Sequence, residues 1–201
     1  MKEFWNERFG GEEYFYGTTP NAFLASQAPL LKSGQLVLSV ADGEGRNGVW
    51  LAEQGLDVLA VDFSEKALQK SRKLAESRGV ALQTELVDVH TWNWGENRFD
   101  VIVAIFIQFA SSQERPALHR TIQRALKPGG LLLLQGYTPK QLEFRTGGPS
   151  NRDNLYNAAD LQHDFAAMEI LQLREHETVI SEGPGHSGMS ALVDLVARKP
   201  A

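Results

Sequence analysis

The chain contains no cysteine, which excludes disulfides, thiolate metal sites and a cysteine nucleophile at once. It has no long apolar run either. The longest, Val101 to Ile107, falls far short of the roughly 20 residues that a membrane-spanning helix needs. The opening Met1-Lys2-Glu3-Phe4-Trp5 lacks the apolar stretch of a signal peptide. Basic residues are in deficit: 20 Lys and Arg stand against 25 Asp and Glu, for a net charge of −5. That balance is the opposite of the cationic footprint of a nucleic-acid binder. The five histidines show no close metal-ligand spacing. These absences predict a cytoplasmic protein with no nucleic-acid partner, no membrane and no bound metal.

What is present is ordinary globular composition. The 201 residues are 42% hydrophobic, enough for one substantial core without staples. No internal repeat, low-complexity tract or linker interrupts them, so a single domain is expected over 1–201. Its first 30 residues differ from the rest. They concentrate Phe4, Trp5, Phe9, Tyr14, Phe15, Tyr16 and Phe23, either as a helical segment packed on the core or as a lid over a ligand. The core is expected over 35–199.

From Gln35 strands and helices alternate. Leu36 to Val40 is a short apolar run, read as a strand. A helix carrying Val49, Trp50, Leu51 and Ala52 follows and ends at Gly55. Val58 to Val61 is a second strand. Ser64 caps a helix whose apolar face is Ala67, Leu68, Ser71, Leu74 and Ala75, stopped by Gly79. Leu82 to Val87 and Phe99 to Ile107 are the third and fourth strands, the latter apolar throughout, as a strand covered on both faces should be. Ser111 and Glu114 predict a capping box before a helix that buries Leu118, Ile122, Ala125 and Leu126. Lys127-Pro128-Gly129-Gly130 breaks that helix ahead of a fifth strand, Leu131 to Leu134. Pro139 to Asp153 reads as loose chain and Ala158 to Ala167 as a helix. Two further strands, about Ile170 to Ile180 and Ala191 to Ala197, flank the turn residues Glu182 to Gly188. Alternation of this kind predicts an α/β fold with a doubly wound, mostly parallel seven-stranded sheet, helices on both faces and an antiparallel hairpin at the C-terminal edge.

The stretch that carries chemistry is Val37-Leu38-Ser39-Val40-Ala41-Asp42-Gly43-Glu44-Gly45-Arg46-Asn47. It is a strand, a glycine-containing turn and a helix start. Glycines belong there because the turn is tight and a ligand must approach the backbone. Ligands of open α/β sheets sit at the carboxyl ends of strands, so a nucleotide-like cofactor is expected at this turn. Asp62 closes the second strand in Val61-Asp62-Phe63-Ser64, where a carboxylate either accepts from ribose hydroxyls or is a solvated acid. Asp88, after the third strand, either accepts from an adenine amine, with Val89 beside it, or is a turn acid. Gly43 and Gly45 only partly match the dinucleotide fingerprint G-x-G-x-x-G, with Gly48 in the third glycine's place.

Taken in order, Val37 to Ala52, Asp62, Asp88, Phe99-Asp100-Val101-Ile102 and Leu126-Lys127-Pro128-Gly129-Gly130 resemble the class I S-adenosylmethionine-dependent methyltransferases. Gly45-Arg46-Asn47, Leu126 to Gly130, Trp5-Asn6-Glu7-Arg8-Phe9 and Tyr16-Gly17 are similar to the tellurite-resistance and thiopurine-methyltransferase-like branch. The resemblance runs from about Leu36 to Lys199 and departs from the family turn, acid-x-Gly-x-Gly-x-Gly, at two places. Ser39 holds the acid position and Ala41 the first glycine.

The resemblance implies a Rossmann-like core, S-adenosylmethionine as cofactor, and methyl transfer to a small soft nucleophile such as a thiol or a chalcogen oxyanion. Asp62 would then hold the ribose, with Gly43 and Gly45 against the methionine part, and Asp88 and Val89 at the adenine. Ala41, Asp42, Asn47 and Phe63 would line the same turn and strand end. Ile105 or Phe106 would flank the methyl donor near Gln108, and Tyr16 would close over the cofactor. On the acceptor side it implies Trp5, Tyr14, Arg145 and His186; the residues alone favour reading His186 as an exposed loop histidine. No catalytic residue is named, since alignment and exclusion of water do most of the work in displacing a sulfonium. Two other readings stand beside this one. A non-catalytic cofactor-binding protein is favoured by Ser39 and Ala41. A nicotinamide-dependent oxidoreductase shares the glycine turn but needs neither Asp88 nor the terminal hairpin.

Overall fold

The computed structural model describes residues 2–201. Seven strands lie in the order β3-β2-β1-β4-β5-β7-β6, mostly parallel with an antiparallel edge, as the alternation predicts. Contacts divide the chain into two units. One runs to Trp92 and takes in Glu182–Pro184; the other holds Asn93–Ser181 and Gly185–Ala201.

In the first unit, β1 (Leu36–Val40) pairs in parallel with β2 (Asp57–Asp62), and β2 with β3 (Gln83–Leu86). The crossovers are α3 (Arg46–Glu53) and α4 (Glu65–Arg78). Ser64 caps α4 by accepting from the Ala67 amide, and Gly79 ends it in the left-handed region at φ 67°. The buried face of α4 is Ala67, Leu68, Ser71, Leu74 and Ala75, the spacing read from the sequence. The N-terminal segment is less helical than its aromatics suggest. It forms α1 (Lys2–Arg8), α2 (Ala22–Ser26) and one 3-10 turn, Ala28–Leu30, with Gly10 to Asn21 an irregular strap.

In the second unit, β4 (Phe99–Ile105) pairs in parallel with β5 (Leu126–Tyr137), and β5 pairs antiparallel with β7 (Ser187–Arg198), which pairs with β6 (Glu169–Ser181). The helices are α5 (Arg115–Ala125), a short α6 (Gln141–Phe144) and α7 (Ala158–Asp164). Helix α7 ends at Asp164 rather than Ala167, and β7 starts at Ser187 rather than Ala191; three further differences have a visible cause. Strand β4 stops at Ile105, because Phe106 turns into the left-handed region at φ 56°. The Ser111–Glu114 box forms, the Ser111 amide donating to Glu114 Oε2 at 3.0 Å, but it stands one turn ahead of α5. Lys127 to Gly130 does not separate helix from strand. It is a bulge inside β5, held because Gly129 donates to the Lys199 carbonyl at 2.9 Å and Lys199 donates back to Gly130 at 2.8 Å. Among the described residues no helix is long and apolar enough to cross a membrane.

Candidate functional site

The glycine turn is assembled by buried carboxylates rather than by glycines alone. Ala41 leaves β1 at φ 49°, and Gly43 and Gly45 continue at 62° and 94°. Gly45 is the N-cap of α3 and has no side chain to cap it. Asp42 does that work from below: its Oδ1 accepts from the Gly48 amide at 3.0 Å and from the Ser39 hydroxyl at 2.6 Å. Burial pushes the Asp42 carboxyl up to about 7, against those two hydrogen bonds. The acid missing at Ser39 is thus present three residues later, bonded to the serine that replaces it.

Asp62, at the end of β2, is 5% exposed. Its Oδ2 accepts from the Gly43 amide at 2.9 Å and its Oδ1 from the Ser64 amide at 2.8 Å. Burial raises its pKa, while the amides of Ser64, Gly43 and Phe63 draw it down. Two carboxylate oxygens offer about four acceptor positions, so capacity remains for a hydroxyl. Phe63 follows, half-buried. Asp88 is exposed, and its Oδ1 accepts from the His90 amide of its own turn at 3.0 Å, with half-buried Val89 between them.

The N-terminal segment lies on this turn. Phe9 is buried, and a Cβ placed on Gly43 would meet its ring at 3.7 Å. Trp5 stacks on Phe9, and Asn6 accepts from the Ser64 hydroxyl at 2.6 Å. Glu44, 3% exposed, accepts from the Phe15 and Tyr16 amides at 2.7 and 3.4 Å and pairs with Lys70 at 2.7 Å. Asn47 accepts from the Asn21 amide at 2.9 Å. Arg46 pairs with Glu182 at 2.8 Å, and Glu182 also accepts from the Asn21 side chain at 3.0 Å. Tyr16 packs edge-on to Phe9 and Phe15, and burial raises its pKa despite Arg8 alongside. Tyr14 goes elsewhere: its hydroxyl donates to the Lys70 carbonyl at 3.2 Å and its ring packs on Val49, Leu74 and Ala75.

Ala41, Asp42, Gly43, Gly45, Asn47, Asp62, Phe63, Trp5 and Tyr16 therefore gather around one turn; Tyr14 packs on α3 and α4, and Asp88 bonds within the turn after β3. Sequence reasoning gave no site role to Asn6, Glu44, Arg46 or Glu182, and placed Phe9 only among the aromatics of the first segment. The one signal available was Glu44, an acid between two glycines where a small residue would suffice.

The second unit holds the other named residues. Ile105 ends β4, buried, in register with Gln135. Phe106 stacks on Tyr137 with centroids 4.7 Å apart, and His186 lies edge-on to both rings, at 4.5 and 5.5 Å. Gln108 fixes Tyr137 from both sides, accepting from its amide at 2.7 Å and donating to its carbonyl at 2.9 Å. Arg145 is exposed, in the left-handed region at φ 55° after α6. His186 is buried at 6% exposure, so the exposed-loop alternative does not hold. Among the described residues there is no group of three or more acidic or histidine side chains placed to hold a metal ion.

The donor set suits an adenosyl cofactor: a buried carboxylate with spare acceptor capacity, bonded to the amide of the Gly43 turn. Comparison with known proteins agrees. Residues 37–130 match the methyltransferase domain family. Phosphoethanolamine N-methyltransferase 1 of Triticum aestivum is 35% identical over 53% of this chain and 22% of its own length. The chain thus spans about a fifth of that relative. The cypemycin N-terminal methyltransferase of a Streptomyces species is 31% identical over 76% of this chain and 63% of its own. TehB of Haemophilus influenzae, a probable S-adenosyl-L-methionine-dependent methyltransferase, is 25% identical over 61% of this chain and 44% of its own. Its crystal structure superposes with a TM-score of 0.72 at 17% identity, covering 98% of this chain and 66% of that one.

Proposed function

We propose that this chain, whose residues 37–130 match the methyltransferase domain family, is a class I S-adenosylmethionine-dependent methyltransferase that binds S-adenosylmethionine at the Gly43–Gly45 turn and transfers its methyl group to a small molecule. The acceptor is a soft nucleophile, a thiol or a chalcogen oxyanion. The protein works in the cytoplasm as a monomer or homodimer, with no nucleic-acid or membrane partner.

The observation that carries this reading is the buried Asp62 carboxylate bonded to the Gly43 amide at 2.9 Å. Asp62 offers its remaining acceptor capacity to a ribose hydroxyl. The backbone of the Gly43–Gly45 turn takes the methionine part, and Asp88 with Val89 follows the next strand for the adenine. Trp5 and Tyr16 exclude water from the turn, which strengthens every polar contact made there. S-adenosylmethionine, when bound, supplies a methyl group on a cationic sulfur, so its displacement discharges the leaving group and needs alignment more than acid.

Calorimetric titration with S-adenosylmethionine and S-adenosylhomocysteine tests the reading, with Asp62→Asn as control. Micromolar binding that weakens at least roughly tenfold in the variant, about the worth of a charge-assisted hydrogen bond, supports it. No heat from either ligand, together with quenching of reduced nicotinamide, would transfer the turn to the oxidoreductase reading.

A further inference from the structure

Asp42 and Asp62 are 8% and 5% exposed, and neither carboxylate forms an ion pair among the described residues. The basic side chains of the same turn and of α4 are already taken: Arg46 pairs with Glu182 at 2.8 Å and Lys70 with Glu44 at 2.7 Å. Neutral groups serve the two carboxylates instead. Asp62 accepts from the Gly43 and Ser64 amides. Asp42 Oδ1 accepts from the Ser39 hydroxyl and the Gly48 amide, while its Oδ2 is buried with no partner. The Asp42 backbone is pinned as well, its amide donating to the Val61 carbonyl at 3.0 Å and its carbonyl accepting from Gly45 at 3.3 Å. A buried carboxylate with no opposite charge takes up a proton rather than stay ionised. Burial accordingly holds Asp42 at about 7, poised between its two forms. Among the described residues, the charged groups that act on it are Asp62, at the end of β2, which opposes ionisation, and Arg46, at the start of α3, which favours it. Strand β1 brings the neutral Ser39 hydroxyl.

We propose that Asp42 is a specificity-determining residue of the cofactor turn: ionised, it is the counter-ion of the cationic methyl donor, and it sets the preference for S-adenosylmethionine over the spent thioether. This rests on the cofactor assignment above. S-adenosylmethionine and S-adenosylhomocysteine share the adenine, the ribose and the amino-acid end, so what Asp62 and the turn amides give to one they give to the other. The two differ by a methyl group and one positive charge. An ionised carboxylate beneath the turn attracts that charge across a medium poor in water, and a protonated one does not. By linkage, binding of the cation expels the Asp42 proton to the same extent as loss of the proton tightens binding. The spent thioether lacks the charge, so Asp42 takes a proton back from solvent after methyl transfer and the hold on the product weakens.

Calorimetric titration with S-adenosylmethionine and S-adenosylhomocysteine at pH 6 and pH 8 reads the ratio of their dissociation constants. In the wild type the preference for S-adenosylmethionine should grow about fivefold or more from pH 6 to pH 8, the lower end of coupling between sites. In Asp42→Asn the same ratio should stay within about twofold, since the coupled group is gone. Near pH 7, buffers of different ionisation enthalpy should show the wild type releasing more protons with S-adenosylmethionine than with S-adenosylhomocysteine. The ligands' own ammonium groups titrate alike in both proteins, so Asp42→Asn subtracts them. Should that variant fold poorly, Ser39→Ala decides. The Ser39 hydroxyl favours the charged carboxylate, so its loss should move the rise in preference to higher pH. A preference that is flat with pH in the wild type, that grows equally in Asp42→Asn, or that keeps its pH in Ser39→Ala overturns the proposal while the cofactor assignment stands. A wild-type protein that binds neither ligand at either pH brings down the cofactor assignment and the proposal with it.

Discussion

The Ser39 hydroxyl donates to Asp42 Oδ1 at 2.6 Å, so strand end and turn share one buried carboxylate. Its second oxygen has no partner among the described residues and faces Gly48, where a Cβ would stand 2.5 Å away. Burial is the largest influence on this group and raises its pKa to about 7, with Asp62 adding to the rise. The folded chain therefore keeps a proton that the unfolded chain releases near the ordinary value of 3.8. Between those values the native state binds more protons, so stability falls as pH rises from about 4 to 7 and is flat above. Asp62, also raised, acts in the same sense, whereas His119, lowered by burial, favours folding as pH rises. The difference between wild type and Asp42→Asn isolates Asp42. Guanidinium unfolding at pH 5 and pH 8 should show the wild type losing on the order of a few kcal/mol more than the variant. Parallel losses would place the Asp42 pKa near its ordinary value.

Ala41 stands at φ 49°, where glycine is unstrained and alanine is not. Ala41→Gly should raise stability by up to about 1 kcal/mol, because relief of strain outweighs the added freedom of the unfolded chain. Thermal melts would register this as a rise of about 2–4 °C. A fall in Tm would show that the turn holds Ala41 without strain.

The sequence made local features legible. The bounds of β1, the Ser64 cap and Gly79 stop of α4, and the buried face between them depend on neighbours within a few residues. The terminal hairpin was legible for the same reason, since two extended runs flank a glycine-rich turn. The bulge at Lys127 to Gly130 was not, because its hydrogen bonds go to Lys199 at the far end of the chain. Around the turn, residue types such as Asp62 announce themselves by their place after a strand. Partners do not: Glu44 with Phe15, Arg46 with Glu182 and Asn6 with Ser64 are contacts between distant segments. Nothing in the sequence distinguishes Tyr14, which turns to α4, from Tyr16, which stays at the turn.

Gly45 and Gly79 both take positive φ, 94° and 67°, but their surroundings separate them. A Cβ on Gly45 would lie 2.5 Å from Ser71 Oγ and 2.8 Å from Ser71 Cα, so moving a side chain cannot relieve it. On Gly79 it would meet nothing within 4 Å. Gly79→Ala should cost about 1 kcal/mol from backbone strain alone, and Gly45→Ala about 3 kcal/mol or more, since α3 and α4 must also separate. Equal losses in denaturant midpoint would mean that the α3–α4 contact is looser than its distances.

Glu44 ties the strap to the turn through three donors. The Phe15 and Tyr16 amides reach one oxygen, and Lys70, which also donates to the Glu13 carbonyl at 2.6 Å, reaches the other. The Glu44 side chain is 2% exposed and that of Lys70 13%, so the pair is largely out of water and breaking it leaves an uncompensated ammonium. In Glu44→Gln the amide nitrogen must face either Lys70 or the strap amides, all of them donors, so one set of hydrogen bonds is lost. The strap should then open locally without unfolding the sheet. Hydrogen exchange at Phe15 and Tyr16 should quicken by about tenfold or more, while exchange along β1 and β2 stays within about twofold of wild type, as local opening requires. Uniform acceleration everywhere would mean that Glu44 supports the whole unit and not the strap. Unchanged exchange at Phe15 and Tyr16 would mean that the aromatic packing around Phe9 holds the strap by itself.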